Sequence, residues 1–160
     1  YIYVGAGDDT INAGDGYNYI KAGNGNDLIN TGSDDDDIYA GGGNDNIFAG
    51  GGDNLVYGGQ GHDNIYTGSG KNYIYAGGGQ DQIWLGGGED IVALQLGTGT
   101  DSINNFQLSK TTFEVLGNID NISISDGAKG AEIYLGEESL AVVSWTAAST
   151  LINNFDSIFI

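Results

Sequence analysis

The chain has 160 residues, with 30 Gly, no Pro, Cys or Met, four Lys, no Arg, and a formal charge of −18. The missing Cys excludes a disulfide framework and thiolate metal sites, and the acidity excludes nucleic acid and anionic membranes as partners, leaving hard cations as the natural counter-charge. No apolar run approaches the ~20 residues that a membrane-spanning helix needs.

Tyr1-Ile2-Tyr3 has the form of the end of a repeat unit, which predicts that the array was longer upstream or is cut here. With no initiator Met and no secretory h-region, the chain is expected to be a processed product or a fragment. An aliphatic residue then recurs every nine residues, as Ile11, Ile20, Ile29, Ile38, Ile47, Val56, Ile65, Ile74, Ile83 and Val92. So strict a period signals a solenoid rather than a globular core.

With that residue at position eight, position two is Gly in all ten units and position four is Gly in all but one, where Asp34 stands instead. Position six is Asp or Asn throughout. Glycines at alternate positions permit backbone angles other residues resist and let carbonyls converge, so positions two to six form a tight turn. Positions seven to nine, such as Asn46-Ile47-Phe48, form a short strand with one β-branched side chain inward and its neighbours outward.

In this pattern the chain resembles the RTX, or hemolysin-type, calcium-binding repeat G-G-x-G-x-D-x-U-x, and Gly41-Gly42-Gly43-Asn44-Asp45-Asn46-Ile47 matches it residue for residue. The resemblance extends over residues 1 to about 104. It implies an all-β fold: a parallel β-roll with two units per coil, two sheets back to back, and Ca2+ held between successive turns along each edge. It also implies the ligands, which are position-six carboxylates and turn carbonyls. On one edge these are Asp9, Asp27, Asp45, Asp63, Asp81 and Asp101, with the carbonyls of Gly5, Gly7, Gly23, Gly25, Gly41, Gly43, Gly59, Gly61, Gly77 and Gly79. On the other edge they are Asp36 and Asp90.

The two edges are expected to differ. Odd units carry a full column of aspartates, whereas even units carry Asn18, Asp36, Asn54, Asn72 and Asp90. Fewer carboxylates mean weaker or empty calcium sites, and Lys71 beside Asn72 adds a repelling cation. Asn can instead close the turn with its own hydrogen bonds. A full ion row is therefore expected on the odd edge and partial occupancy on the even one. Five divalent ions would cancel more than half of the formal charge, so folding is expected to depend on calcium. The alternative for the aspartates, a merely solvated acidic turn, does not account for the joint phasing of Gly and Asp. The run Asp34 to Asp37 falls in a calcium turn by register, with Asp34 in the usual Gly place.

The outward positions of the even sheet include Tyr1, Tyr3, Tyr19, Tyr39, Tyr57, Tyr73 and Tyr75, an aromatic platform. It reads either as cross-strand stacking on a solvated sheet or as a packing surface for self-association, other surface-layer chains or a glycan. The odd face is more polar, with Thr10, Asn12, Asn30, Asn46, Asn64 and Gln82, interrupted by Phe48, Tyr66 and Trp84.

After Val92 the phase slips by two residues near Leu94-Gln95, and a last unit runs from Gly97 to Ile103. Residues 105–160 are expected to form a small β cap, with strands at Thr112–Leu116, Ile122–Ser125, Ala131–Leu135 and Leu140–Val143 and turns at Asp126-Gly127 and Gly136-Glu137. The closing Asp156-Ser157-Ile158-Phe159-Ile160 is similar to the acidic-then-hydrophobic ending of type I secretion substrates, and reads equally as a final strand. His62, the only histidine, is expected to be a solvated turn residue. No nucleophile set, phosphate loop or zinc cluster is present, so the chain reads as a non-enzyme. Two functional classes fit. One is a calcium-folded structural or adhesive component of a secreted bacterial surface layer or fibre. The other is the carboxyl-terminal secretion and folding module of a larger RTX enzyme or toxin. Carbohydrate or ice binding by a flat face is weaker, since no regular Thr ladder exists. All of these place the chain outside the cell.

Overall fold

The computed structural model covers residues 1–160. Its repeat region is a parallel β-roll in which alternate units feed two sheets. One sheet runs in the order β1 (Ile2–Ala6), β3 (Tyr19–Asn24), β5 (Asp37–Gly42), β7 (Leu55–Gln60), β9 (Tyr73–Gly78), β11 (Ile91–Leu94) and β13 (Thr112–Val115). The other carries β2 (Thr10–Gly14), β4 (Leu28–Thr31), β6 (Asn46–Phe48), β8 (Asn64–Tyr66), β10 (Gln82–Trp84) and β12 (Asp101–Asn104). Strand neighbours are two units apart, as in Ile29↔Ile47 and Ile47↔Ile65. Each position thus stacks in a column running the length of the roll.

The core follows from the period. The position-eight residues from Ile20 to Val92 are buried between the sheets, and β-branched side chains suit the extended strands that carry them. Position one also points inward, with Ala22, Ala40, Ala49, Ala76 and Leu85 buried. The alanines here let the sheets approach where the chain turns. From β1 to β9 the strands of the first sheet run on through position three, whereas β6, β8 and β10 have three residues each. The two edges are therefore built differently even though their sequences share one period.

The two-residue slip is absorbed without loss of register. Asp81 and Asp101 occupy neighbouring coils, and β10 pairs with β12 as Gln82↔Ser102, with the extra residues in the turn after β11. Beyond Phe106, β13 adds to the first sheet and β16 (Glu138–Ser144) adds parallel to β12. β14 (Ile122–Asp126) and β15 (Gly130–Leu135) then extend the second sheet antiparallel. These ranges match the expected strands closely. The ending differs: Ala148–Ile152 and Phe155–Ile158 form two short helices, α1 and α2, and only Phe159 bridges to Phe113. Burial of Leu151, Ile158 and Phe159 on one core with Phe113 favours helical turns over a strand there.

Replacing Ile65 by Ala removes the aliphatic wedge from a coil flanked on both sides. It is expected to lower stability in saturating calcium by about 2–5 kcal/mol in urea unfolding followed by circular dichroism.

Candidate metal-binding edges

On the odd edge, every glycine at positions two and four from Gly5 to Gly79 has φ between +107° and +143°. Such angles are open to Gly and strained for other residues. A Cβ at Gly23 would also overlap the carbonyl of Gly5 one coil away. This edge is thus a uniform stack of identical turns.

Inside it stands a file of carboxylates. Oδ1 of Asp27, Asp45, Asp63 and Asp81 each accepts the backbone N–H of the position-six aspartate one coil earlier, at 2.7–2.8 Å, and Asp101 does the same for Asp81 at 3.1 Å. Asp9 heads the file. Asp27, Asp45, Asp63, Asp81 and Asp101 are buried, and Oδ2 of the first four has no hydrogen-bond partner. None of the turn or side-chain hydrogen bonds ends on the position-four carbonyls of Gly7, Gly25, Gly43, Gly61 and Gly79. Two sets of buried or converging oxygens on one edge therefore lack donors.

Burial dominates the acidity of these groups, because removing a carboxylate from water disfavours its charged form. It pushes Asp45 up to about 6 and Asp63 to about 7, and raises Asp81, Asp101 and, on the other edge, Asp90. Coulombic repulsion within the file adds to burial at Asp63 and Asp101.

The even edge answers the same geometry with amides. Nδ2 of Asn18 donates to the carbonyls of Gly14 and Gly16, and Nδ2 of Asn54 to those of Gly51 and Gly52. Asn54 also donates to Asn72 Oδ1 at 3.0 Å, and Asn72 to Asp90 Oδ1 at 2.8 Å. At Gly16 and Gly52 the amide hydrogens reach the position-four carbonyls, whose counterparts on the odd edge lack donors. Asp36 is the exception, since its Oδ2 is buried and unpartnered. The turns are also irregular: Gly32, Gly68 and Gly86 do not take left-handed φ, and neither does Asp34.

A second ladder lies outside the first. Position-five side chains accept backbone N–H groups one coil later, through Asp8 to Asn26, Asn26 to Asn44, Asn44 to His62 and His62 Nδ1 to Gln80 at 2.8 Å. His62 is thus a ladder member, not simply a solvated turn residue, and only its spacing from Asn44 hinted at this.

Oxygen-only donors without competing hydrogen bonds suit a hard divalent cation. No three acidic or imidazole side chains converge on one point, so carbonyls must complete any such coordination. A parallel β-roll with carboxylate-bearing glycine turns defines a calcium-binding solenoid. The sequence model of the RTX calcium-binding nonapeptide repeat (4 copies) matches residues 3–38, 30–65 and 57–92, and the chain belongs to that family. No curated protein matches it. The repeats of this family bind Ca2+, are typical of type I secreted proteins and are typically structural rather than catalytic.

The raised carboxylates fix the sign of a pH effect. Their folded values lie above the ordinary ~3.9 of an unfolded Asp, so in calcium-free solution their contribution is full below that value and lost as pH rises through 6 and 7. In chelator, the strand signal in circular dichroism is expected to be stronger at pH 5 than at pH 8, and calcium is expected to restore it at pH 8. A chelated chain equally folded at both values would contradict the assignment.

Proposed function

We propose that the chain is a calcium-folded structural or adhesive component of a secreted surface layer or extracellular fibre. The odd-edge aspartates from Asp9 to Asp101, with the position-two and position-four glycine carbonyls, hold the ions between coils. The observation that carries this is the buried file of Oδ2 atoms without partners. On the even edge Asp36 is the one further carboxylate with a free buried oxygen, while Asp90 is engaged by Asn72. Calcium therefore occupies the odd edge fully and the even edge only around Asp36. Residues 105–160 cap the roll, with the rings of Phe106, Phe113, Phe155 and Phe159 packed at centroid distances of 4.6–5.7 Å.

The structural role rests on the outer face of the first sheet. Tyr1, Tyr3, Tyr19, Tyr39, Tyr57 and Tyr75 form a line of rings with centroids 5.0–6.0 Å apart. Lys21 lies over Tyr19 and Tyr39, and Tyr17 donates to Asp37. Tyr supplies large contact area with a polar tip, so a rigid row suits packing against another copy. Light scattering in millimolar calcium is expected to show large assemblies that disperse in chelator. A folded monomer in calcium would favour a secretion and folding module of a larger protein instead.

Asp63→Asn supplies the amide that closes turns on the even edge. It is expected to reduce the bound calcium count by calorimetry and to weaken the remaining odd-edge sites by about tenfold, since affinity follows ligand charge. Asn54→Ala is expected to leave the count unchanged. Equal losses in both variants would refute the asymmetry.

A further inference from the structure

Trp145 follows β16 and is 95% exposed, yet its backbone stands at φ +60°. Left-handed backbone is natural to Gly and an outlier for a bulky residue. The ring makes no core contact that offsets this, so folding gains nothing from it. Its backbone is nonetheless fixed, because its N–H donates to the Lys129 carbonyl at 3.0 Å, where β15 and β16 end on Gly130↔Ser144.

Sheet register assembles the rest. Gln82 lies beside Ser102, and Ile103↔Val143 sets Asn104 next to Ser144. These outward side chains line, with Lys129 and Trp145, a groove of about 380 Å³, within the roughly 300–1,000 Å³ of small-molecule sites. Asn104 Nδ2 bonds to the Ile83 carbonyl, which leaves its Oδ1 free, and the Gln82 amide makes no hydrogen bond within the chain. In a protein with 22 Asp and Glu, none lines this groove, and one of the four Lys does.

We infer that this groove binds a glycan through one pyranose unit, with carboxylated sugars preferred. The Trp145 face stacks on the apolar side of the ring, whose C–H groups carry partial positive charge. Amides and hydroxyls both donate and accept, as vicinal sugar hydroxyls require. Lys129 supplies the counter-charge for a uronate. The groove lies on the second sheet and its extension, away from the tyrosine row, so it holds whether or not that row drives assembly.

The test is tryptophan fluorescence and calorimetry on the calcium-saturated chain with cello-, chito- and galacturonate oligosaccharides. Saturable binding is expected, tightest for the galacturonates. Trp145→Gly is expected to keep or raise thermal stability and to weaken binding at least about tenfold. Lys129→Gln should erase the preference for galacturonate, and Thr10→Ala, at the far end of the second sheet, should leave glycan binding unchanged. No saturable binding of any class, or binding undiminished in Trp145→Gly, would overturn the proposal. So would a Trp145→Gly variant that loses only self-association, which would make the groove a protein contact.

Discussion

Everything in the repeat region depends on a line of buried carboxylates stacked one coil apart. Removing a carboxylate from water is costly, and placing the next one above it adds repulsion. The roll meets half of this cost internally: one oxygen of each aspartate accepts a backbone N–H from the neighbouring coil. The other oxygen has no protein donor, and the core is too thin to absorb such a penalty. Most repeat strands contribute one large aliphatic side chain and, at most, a small one beside it. Calcium, or in acid a proton, would supply the positive charge that this file lacks.

The even edge shows a second way of closing the same turn, with amide hydrogens in place of a charge. Asn differs from Asp by carrying its own donor hydrogens, and at Asn18 and Asn54 those hydrogens point at the turn carbonyls. The substitution keeps the shape and deletes the charge. Both edges join the same two sheets, so the register that spaces the amides one coil apart spaces the aspartates equally.

The period of nine made much of this readable from the residues alone. Isoleucine phasing located the strands, Gly phasing the turns, and the Asp–Asn alternation the inequality of the edges. Single units conceal the rest. Phe48, Tyr66 and Trp84 look like interruptions of a polar face, yet they share one column and stack at 4.5–4.8 Å with rings 6° from parallel. His62 looked isolated because its ladder partners are Asn44 and Gln80, residues of other types doing the same hydrogen-bonding work. Position-one alanines carry too little hydrophobic contrast to announce that they face inward. At Ala148–Ile152 the window is too short for a helical period to stand out, and tertiary burial of Leu151 decides the conformation.

The end of the roll poses a separate physical problem, because a parallel solenoid has no internal reason to stop. Each coil presents to the next the same unpaired backbone edge that it met itself. The second sheet breaks this symmetry by changing strand direction. β16 pairs parallel with β12, but β15 and β14 follow antiparallel, so the last strand presents a different hydrogen-bonding pattern from any repeat unit. The first sheet ends differently, with β13 bridged by the single residue Phe159 and Phe113 buried under neighbouring rings. One sheet therefore ends by reversal and the other by an aromatic plug. The reversal also creates the hairpin mouth where Lys129 and Trp145 meet the last repeat strands, so the device that halts the array shapes its acid-free groove.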